Sequence, residues 1–123
     1  MLRVSLFVAA LVAVVGVVAG PSLAARSHSK GTTVKVTATE FKFKLSKTTV
    51  PHGTVTFTVK NAGHVGHDFK IGGKKTKVIS PGKSAKLTVT LKAGKQTYLC
   101  TVPGHAAAGM KGNLNVTLAA RAQ

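Results

Sequence analysis

The stretch Thr54-Val55-Thr56-Phe57-Thr58-Val59-Lys60 alternates polar and apolar side chains over its whole length. Alternation with period two marks a strand with one buried face, so Val55, Phe57 and Val59 belong to a core and the threonines and Lys60 to solvent. Working outward, the pattern recurs in Val34, Val36 and Ala38 set among Thr33, Lys35, Thr37 and Thr39, and in Ala85, Leu87, Val89 and Leu91 set among Lys86, Thr88, Thr90 and Lys92. Thr97 to Cys100 reads as a further strand with Tyr98 on the face of Cys100, and Leu114, Val116 and Leu118 mark a last one. No segment beyond residue 24 keeps a helical period. Seven or so short strands at regular spacing predict an all-β fold, a two-sheet β-sandwich.

The connections carry their own chemistry. Phe41, Phe43 and Leu45 are odd-numbered, whereas Val34, Val36 and Ala38 are even. A one-residue slip turns every side chain over, so a bulge or bend near Thr39-Glu40, with a change of strand partner, is expected to keep both halves facing the core. Val50-Pro51-His52-Gly53 has turn composition, which makes His52 a turn residue, and Asn61-Ala62-Gly63 ends the strand quoted first. An extended run begins at His67, with His67, Phe69 and Ile71 on one face, and breaks at Gly72-Gly73. Lys74 to Ile79 is expected as a short edge segment and Ser80-Pro81-Gly82 as a type II turn.

The first residues follow a different logic. Arg3 precedes an apolar run from Leu6 to Ala19, broken only by Gly16, and Gly20-Pro21-Ser22-Leu23-Ala24 adds a breaker and small residues. This is the layout of a secretory signal peptide, with cleavage expected after Ala24. Spanning hydrocarbon takes roughly 20 apolar residues, and this run is shorter, so cleavage is preferred to retention as a membrane anchor. The expected organisation is a signal peptide at 1–24, a flexible lead at 25–31 that carries a solvated His28, and one domain at 32–123. The destination is the periplasm, the cell envelope or the extracellular space.

Eighteen basic residues stand against two acids, Glu40 and Asp68, a net charge of +16 that becomes +15 once Arg3 leaves with the signal. Such a balance suits an acidic protein partner or an anionic membrane surface. Nucleic acid is the weakest reading, because the lysines are scattered along alternating strand positions with few aromatics between them. The lysines also solvate the strands and oppose edge-to-edge pairing, in keeping with a monomer.

One stretch stands apart from the alternation: Cys100-Thr101-Val102-Pro103-Gly104-His105-Ala106-Ala107-Ala108-Gly109-Met110. A single cysteine in an exported chain forms no internal disulfide, and a metal-ligand role explains it better than an idle thiol. Thiolate, imidazole and thioether together favour copper over magnesium, calcium or manganese. A trigonal His-His-Cys set with a weak axial Met is the signature of an electron-transferring copper site, so one more histidine is required. His64 and His67 both precede the next strand. His67 is preferred because it shares its face with Phe69 and Ile71 and so points inward, whereas His64 sits in the glycine-bearing turn.

The segment from Thr32 to Leu118 resembles the cupredoxin, or type 1 (blue) copper, family, particularly its plastocyanin-like, auracyanin-like and azurin-like members. The resemblance is carried by Asn61-x-Gly63-x-x-x-His67-Asp68-Phe69 and by Tyr98-x-Cys100-x-x-Pro103-Gly104-His105-x-x-x-Gly109-Met110-x-Gly112-x-Leu114-x-Val116. It implies a Greek-key sandwich holding one copper ion, with His67, Cys100 and His105 as equatorial ligands and Met110 as the long axial one. It further implies a tie between the ligand loops through Asp68 and Thr101. Many relatives have Asn where this chain has Asp68, and the added carboxylate is expected to lower the reduction potential. The outer nitrogen of His105 is expected to face solvent within an apolar ring of Val65, Gly66, Pro103 and Ala106 to Ala108.

The expected function is single-electron transport between larger redox proteins by Cu(II)/Cu(I) cycling, with no enzymatic activity. The alternative is an envelope copper carrier or storage protein built on the same ligands. A copper-enzyme fragment would need a second copper with its own histidines, and His28, His52 and His64 share no spacing.

Overall fold

Alternation along each strand translates directly into layers. A computed structural model describes residues 31–118 together with Ala13 and Gly16. The expected signal cleavage site, most of the lead and His28 therefore lie outside the described residues. Among the described residues nine strands follow in chain order: β1 (Thr32–Thr39), β2 (Lys42–Leu45), β3 (Thr49–Pro51), β4 (Gly53–Asn61), β5 (Lys70–Ile71), β6 (Lys74–Lys75), β7 (Ser84–Leu91), β8 (Gly94–Leu99) and β9 (Lys111–Thr117). They form a four-stranded sheet ordered β2-β1-β4-β7 and a five-stranded sheet ordered β3-β9-β8-β5-β6. The all-β sandwich expected from the sequence is the observed fold.

Val55, Phe57 and Val59 on β4 are all fully buried. They meet Val34 and Val36 of β1, Leu87, Val89 and Leu91 of β7, and Phe69, Ile71, Leu114 and Val116 from the opposite sheet in one continuous core. Each such side chain contributes about 1.5–3 kcal/mol by leaving water, so the interlocked faces hold both sheets in fixed register. Phe69 is the hub near the loop end of the sandwich. It packs on Phe43, Phe57 and Tyr98 with ring centroids 5.1, 5.1 and 5.6 Å away.

The phase shift between Ala38 and Phe43 has a simpler origin than a bulge within one strand. β1 and β2 form an antiparallel hairpin closed by Glu40 and Phe41, with Thr39 opposite Lys42 and Ala38 opposite Phe43. Cross-strand partners across a two-residue turn differ in parity, so even positions of β1 and odd positions of β2 share the inner face. β1 also pairs in parallel with β4, placing Ala38 beside Asn61. This parallel pairing sets the hairpin turn next to the loop that follows β4.

Other differences are local. Val50 and Pro51 are not only turn residues: β3 pairs in parallel with β9 at the sheet edge, where a proline is tolerated. The run from His67 does not alternate. His67, Asp68 and Phe69 are all buried, and regular pairing is confined to Lys70–Ile71 after an isolated bridge from His67 to Ile79. Of the edge segment expected over Lys74 to Ile79 only Lys74–Lys75 forms an edge strand, β6, while Ile79 bridges His67. Ser80-Pro81-Gly82 turns as expected, with Lys83 N–H donating to Ser80 C=O at 3.0 Å and Gly82 at a φ of 78°.

Candidate metal centre

Two loops at the same end of the sandwich deliver the donors. The first, residues 62–69, leaves β4 and is shaped by Asn61, which is fully buried. Its side-chain amide donates to the carbonyls of Val65 at 2.8 Å and Ile79 at 2.7 Å, and its Oδ1 accepts from Gly63 N–H at 2.8 Å. His67 is pinned to Ile79 by two backbone bonds of 3.2 and 2.7 Å. The second loop, residues 100–110, closes on itself. His105 N–H donates to Val102 C=O, Met110 N–H to His105 C=O, both at 3.1 Å, and Cys100 N–H to Met110 C=O at 3.0 Å. Met110 is thereby returned beside Cys100, and with Ala38 the two form a small buried cluster.

The ligand atoms of His67, Cys100 and His105 all lie within 4.8 Å of one another. His67 Nδ1 is 3.1 Å from His105 Nδ1, which is 3.5 Å from Cys100 Sγ. Donors that share one ion through bonds of about 2.0–2.3 Å sit at this order of separation. The set is one thiolate and two imidazoles with a buried thioether neighbour, and it fits one type 1 copper ion. Cys100 is buried, and desolvation pushes its thiol pKa up, with the nearby Asp68 charge adding to the shift. A bound metal ion would deprotonate this coordinating thiol outright. His64 is exposed and outside this cluster, and His52 is exposed at the far end of β4.

The tie between the loops is present. Asp68 Oδ1 accepts from Thr101 N–H at 2.6 Å, and Asp68 Oδ2 accepts from the Thr101 hydroxyl. Asp68 N–H in turn points at Cys100 Sγ at 3.5 Å. Such contacts orient the ligands and shape their electronics.

Sequence reasoning missed Glu40. Its Oε1 lies 2.9 Å from His67 Nε2 and also accepts from His64 N–H at 2.8 Å and Val65 N–H at 3.3 Å. The His64 N–H, followed by the His67 ring, holds its carboxyl down to about 2. One signal was available: Glu40 and Asp68 are the only acids in the chain, and both sit at this centre. Phe41, expected to face the core with Phe43 and Leu45, is instead exposed in the hairpin turn, because the inward alternation begins only at Phe43. Its ring meets His105 edge-on at 5.0 Å, and with the exposed Val65 and Val78 it adds to the apolar surface over the half-buried His105. A groove of about 490 Å³ lies there, lined by Phe41, Val65, Val78, Val102, Pro103 and His105 among others.

Comparison with known proteins agrees with this geometry. The family model described as a cupredoxin-like domain matches residues 7–116, so the chain belongs to the cupredoxin family. It is 30% identical over 90 residues to the copper-resistant cuproprotein CopI of Vibrio cholerae, and the match covers 55% of this chain and 53% of that protein. The chain thus spans about half the length of this curated relative. Among solved structures, a dithionite-reduced auracyanin from Roseiflexus castenholzii is similar, with 29% identity, a TM-score of 0.64 and coverage of 71% of this chain and 98% of that one. A copper nitrite reductase from Nitrosomonas europaea shares the fold at 22% identity and a TM-score of 0.59, over 72% of this chain and 42% of that one.

Proposed function

We propose that this protein is a small exported type 1 copper protein that carries single electrons between redox partners. The observation that carries the reading is the convergence of His67, Cys100 and His105 at one end of a rigid sandwich, beneath an apolar surface. In this reading His67, Cys100 and His105 are the equatorial ligands and Met110 the axial one. Copper bound there supplies a one-electron Cu(II)/Cu(I) couple. The chain's part is to hold the donors still, because both loops are fixed by backbone bonds and by the Asp68–Thr101 tie. Little then needs to rearrange when the charge changes.

His105 is the route for the electron, since it is the half-buried member of the donor set and lies in the apolar groove. Phe41, Val65, Val78 and Ala106 to Ala108 let a partner approach closely and exclude water. The high net positive charge speeds encounter with an acidic partner, so electron transfer slows as salt rises. A rate insensitive to ionic strength would remove the steering argument. The similarity to auracyanin, solved in a reduced form, supports redox use of the site. The signal-like composition of residues 1–24 supports export.

The direct test is addition of Cu(II) to the purified mature protein, read by intense thiolate-to-copper absorption. Cys100→Ser is expected to abolish the colour and His64→Ala to retain it. A colourless wild-type protein refutes the reading. The similarity to CopI favours a second reading, a copper-handling protein of the envelope. Repeated oxidation and reduction without metal loss supports the electron carrier, and release of copper on reduction supports the second reading.

A further inference from the structure

The hairpin turn between β1 and β2 grips both histidines of the centre: Glu40 contacts His67, and Phe41 packs on His105. We propose that Glu40 is a positioning residue for the copper site, holding His67 with Nδ1 directed at the metal and favouring Cu(II) over Cu(I) by its charge. This inference rests on the copper reading above.

Three observations lead to it. His67 is fully buried and has one ring nitrogen in the donor cluster and the other on Glu40 Oε1 at 2.9 Å. An ionised carboxylate can only accept, so Nε2 carries the hydrogen and Nδ1 keeps its lone pair for a ligand. The same oxygen gathers the N–H groups of His64 and Val65, which fixes the backbone from which His67 hangs. At Gly63, any Cβ would collide with Glu40 Oε1, so the ligand loop is cut away where the carboxylate seats.

The placement is a consequence of topology. Parallel pairing puts Ala38 opposite Asn61, and Ala62 N–H donates to Ala38 C=O at 2.9 Å. Two residues further on, Glu40 therefore faces the 63–67 segment. A chain with eighteen basic residues and two acids has put both acids against the donors or their neighbours. A carboxylate on a metal-bound imidazole raises its basicity and orients its ring, and loss of such a partner typically costs 10–100-fold in metal affinity. A negative charge beside the site stabilises the divalent ion more than the monovalent one.

Glu40→Gln separates the charge from the hydrogen bonding, because its amide oxygen can accept from the same three donors. The expected result is a blue protein whose Cu(II) affinity falls about tenfold while Cu(I) affinity holds, so that its potential rises by about 59 mV for a one-electron couple. Glu40→Ala, which also frees the ring, is expected to approach a hundredfold loss of Cu(II) affinity. In the copper-free wild type, nitrogen-15 NMR is expected to report His67 with its hydrogen on Nε2. An unchanged potential in Glu40→Gln, or a His67 carrying its hydrogen on Nδ1, overturns the proposal. The tautomer is read without metal, so it decides the positioning role even in a protein that takes up no copper. Absence of thiolate-to-copper absorption in the wild type is a failure of the copper reading instead.

Discussion

Asn61→Ala offers a quantitative test of how the first ligand loop is held. The Asn61 side chain makes three hydrogen bonds of 2.7–2.8 Å to Val65, Ile79 and Gly63, and it is fully buried. Each such bond contributes about 1 kcal/mol net, and unpaired buried partners cost more. Ile79 C=O keeps a second donor in His67 N–H, which limits the penalty there. The sum is roughly 3 kcal/mol, which for a domain of this size lowers the melting temperature by roughly 12–24 °C. Thermal unfolding of the copper-free protein by circular dichroism measures it. Asn61→Asp has nearly the same volume and keeps the bond from Gly63 N–H, but it turns both donations into oxygen–oxygen contacts. It should be at least as destabilised as Asn61→Ala at neutral pH. A fall of less than about 4 °C in Asn61→Ala, the effect of about 1 kcal/mol, would show that the loop is held by other means.

Further outcomes follow from the same contacts. Phe69→Ala removes the ring on which Phe43, Phe57 and Tyr98 converge and should cost about 3–5 kcal/mol, measured by urea unfolding of the copper-free protein. Asp68→Asn keeps an acceptor for Thr101 but removes a charge beside Cys100, so cyclic voltammetry of the copper form should show a higher potential. Glu40 is held at about 2 in the folded protein, below its unfolded value of about 4.3. Its contribution to stability is therefore complete above the unfolded value and is lost as pH falls toward 2. Between pH 5 and pH 3 the wild-type urea midpoint should drop more than that of Glu40→Gln, and equal drops would contradict this assignment.

The legibility of the centre differed from residue to residue. Cys100, His105 and Met110 announce themselves by spacing within one loop, and His67 by an expected alternation with Phe69 and Ile71 that the structure does not keep, since Asp68 between them is buried too. The single turn of chain from Cys100 to Met110 is enough to bring its donors together, because its hydrogen bonds are local. Glu40 and Phe41 gave no such signal. They lie 27 residues from His67 and 64 from His105, and no local period connects them.

What the sequence determined by itself was most of the strands, the face each long strand presents to the core, and a thiolate, an imidazole and a thioether in one loop. These are properties of nearest neighbours along the chain: side chains alternate across a strand whatever its partner. Only the tertiary structure decided which strands pair. The parity change at Glu40 could mean a bulge or a hairpin, since both restore the apolar face, and the observed hairpin was selected by burial of Phe43 against Phe69 and Tyr98. The parallel pairing of β1 with β4 then carried one of the chain's two acids to the buried nitrogen of His67. Pairing between distant strands is set by the packing of the whole core, and so the partner of that histidine could be found only once the sheets were closed.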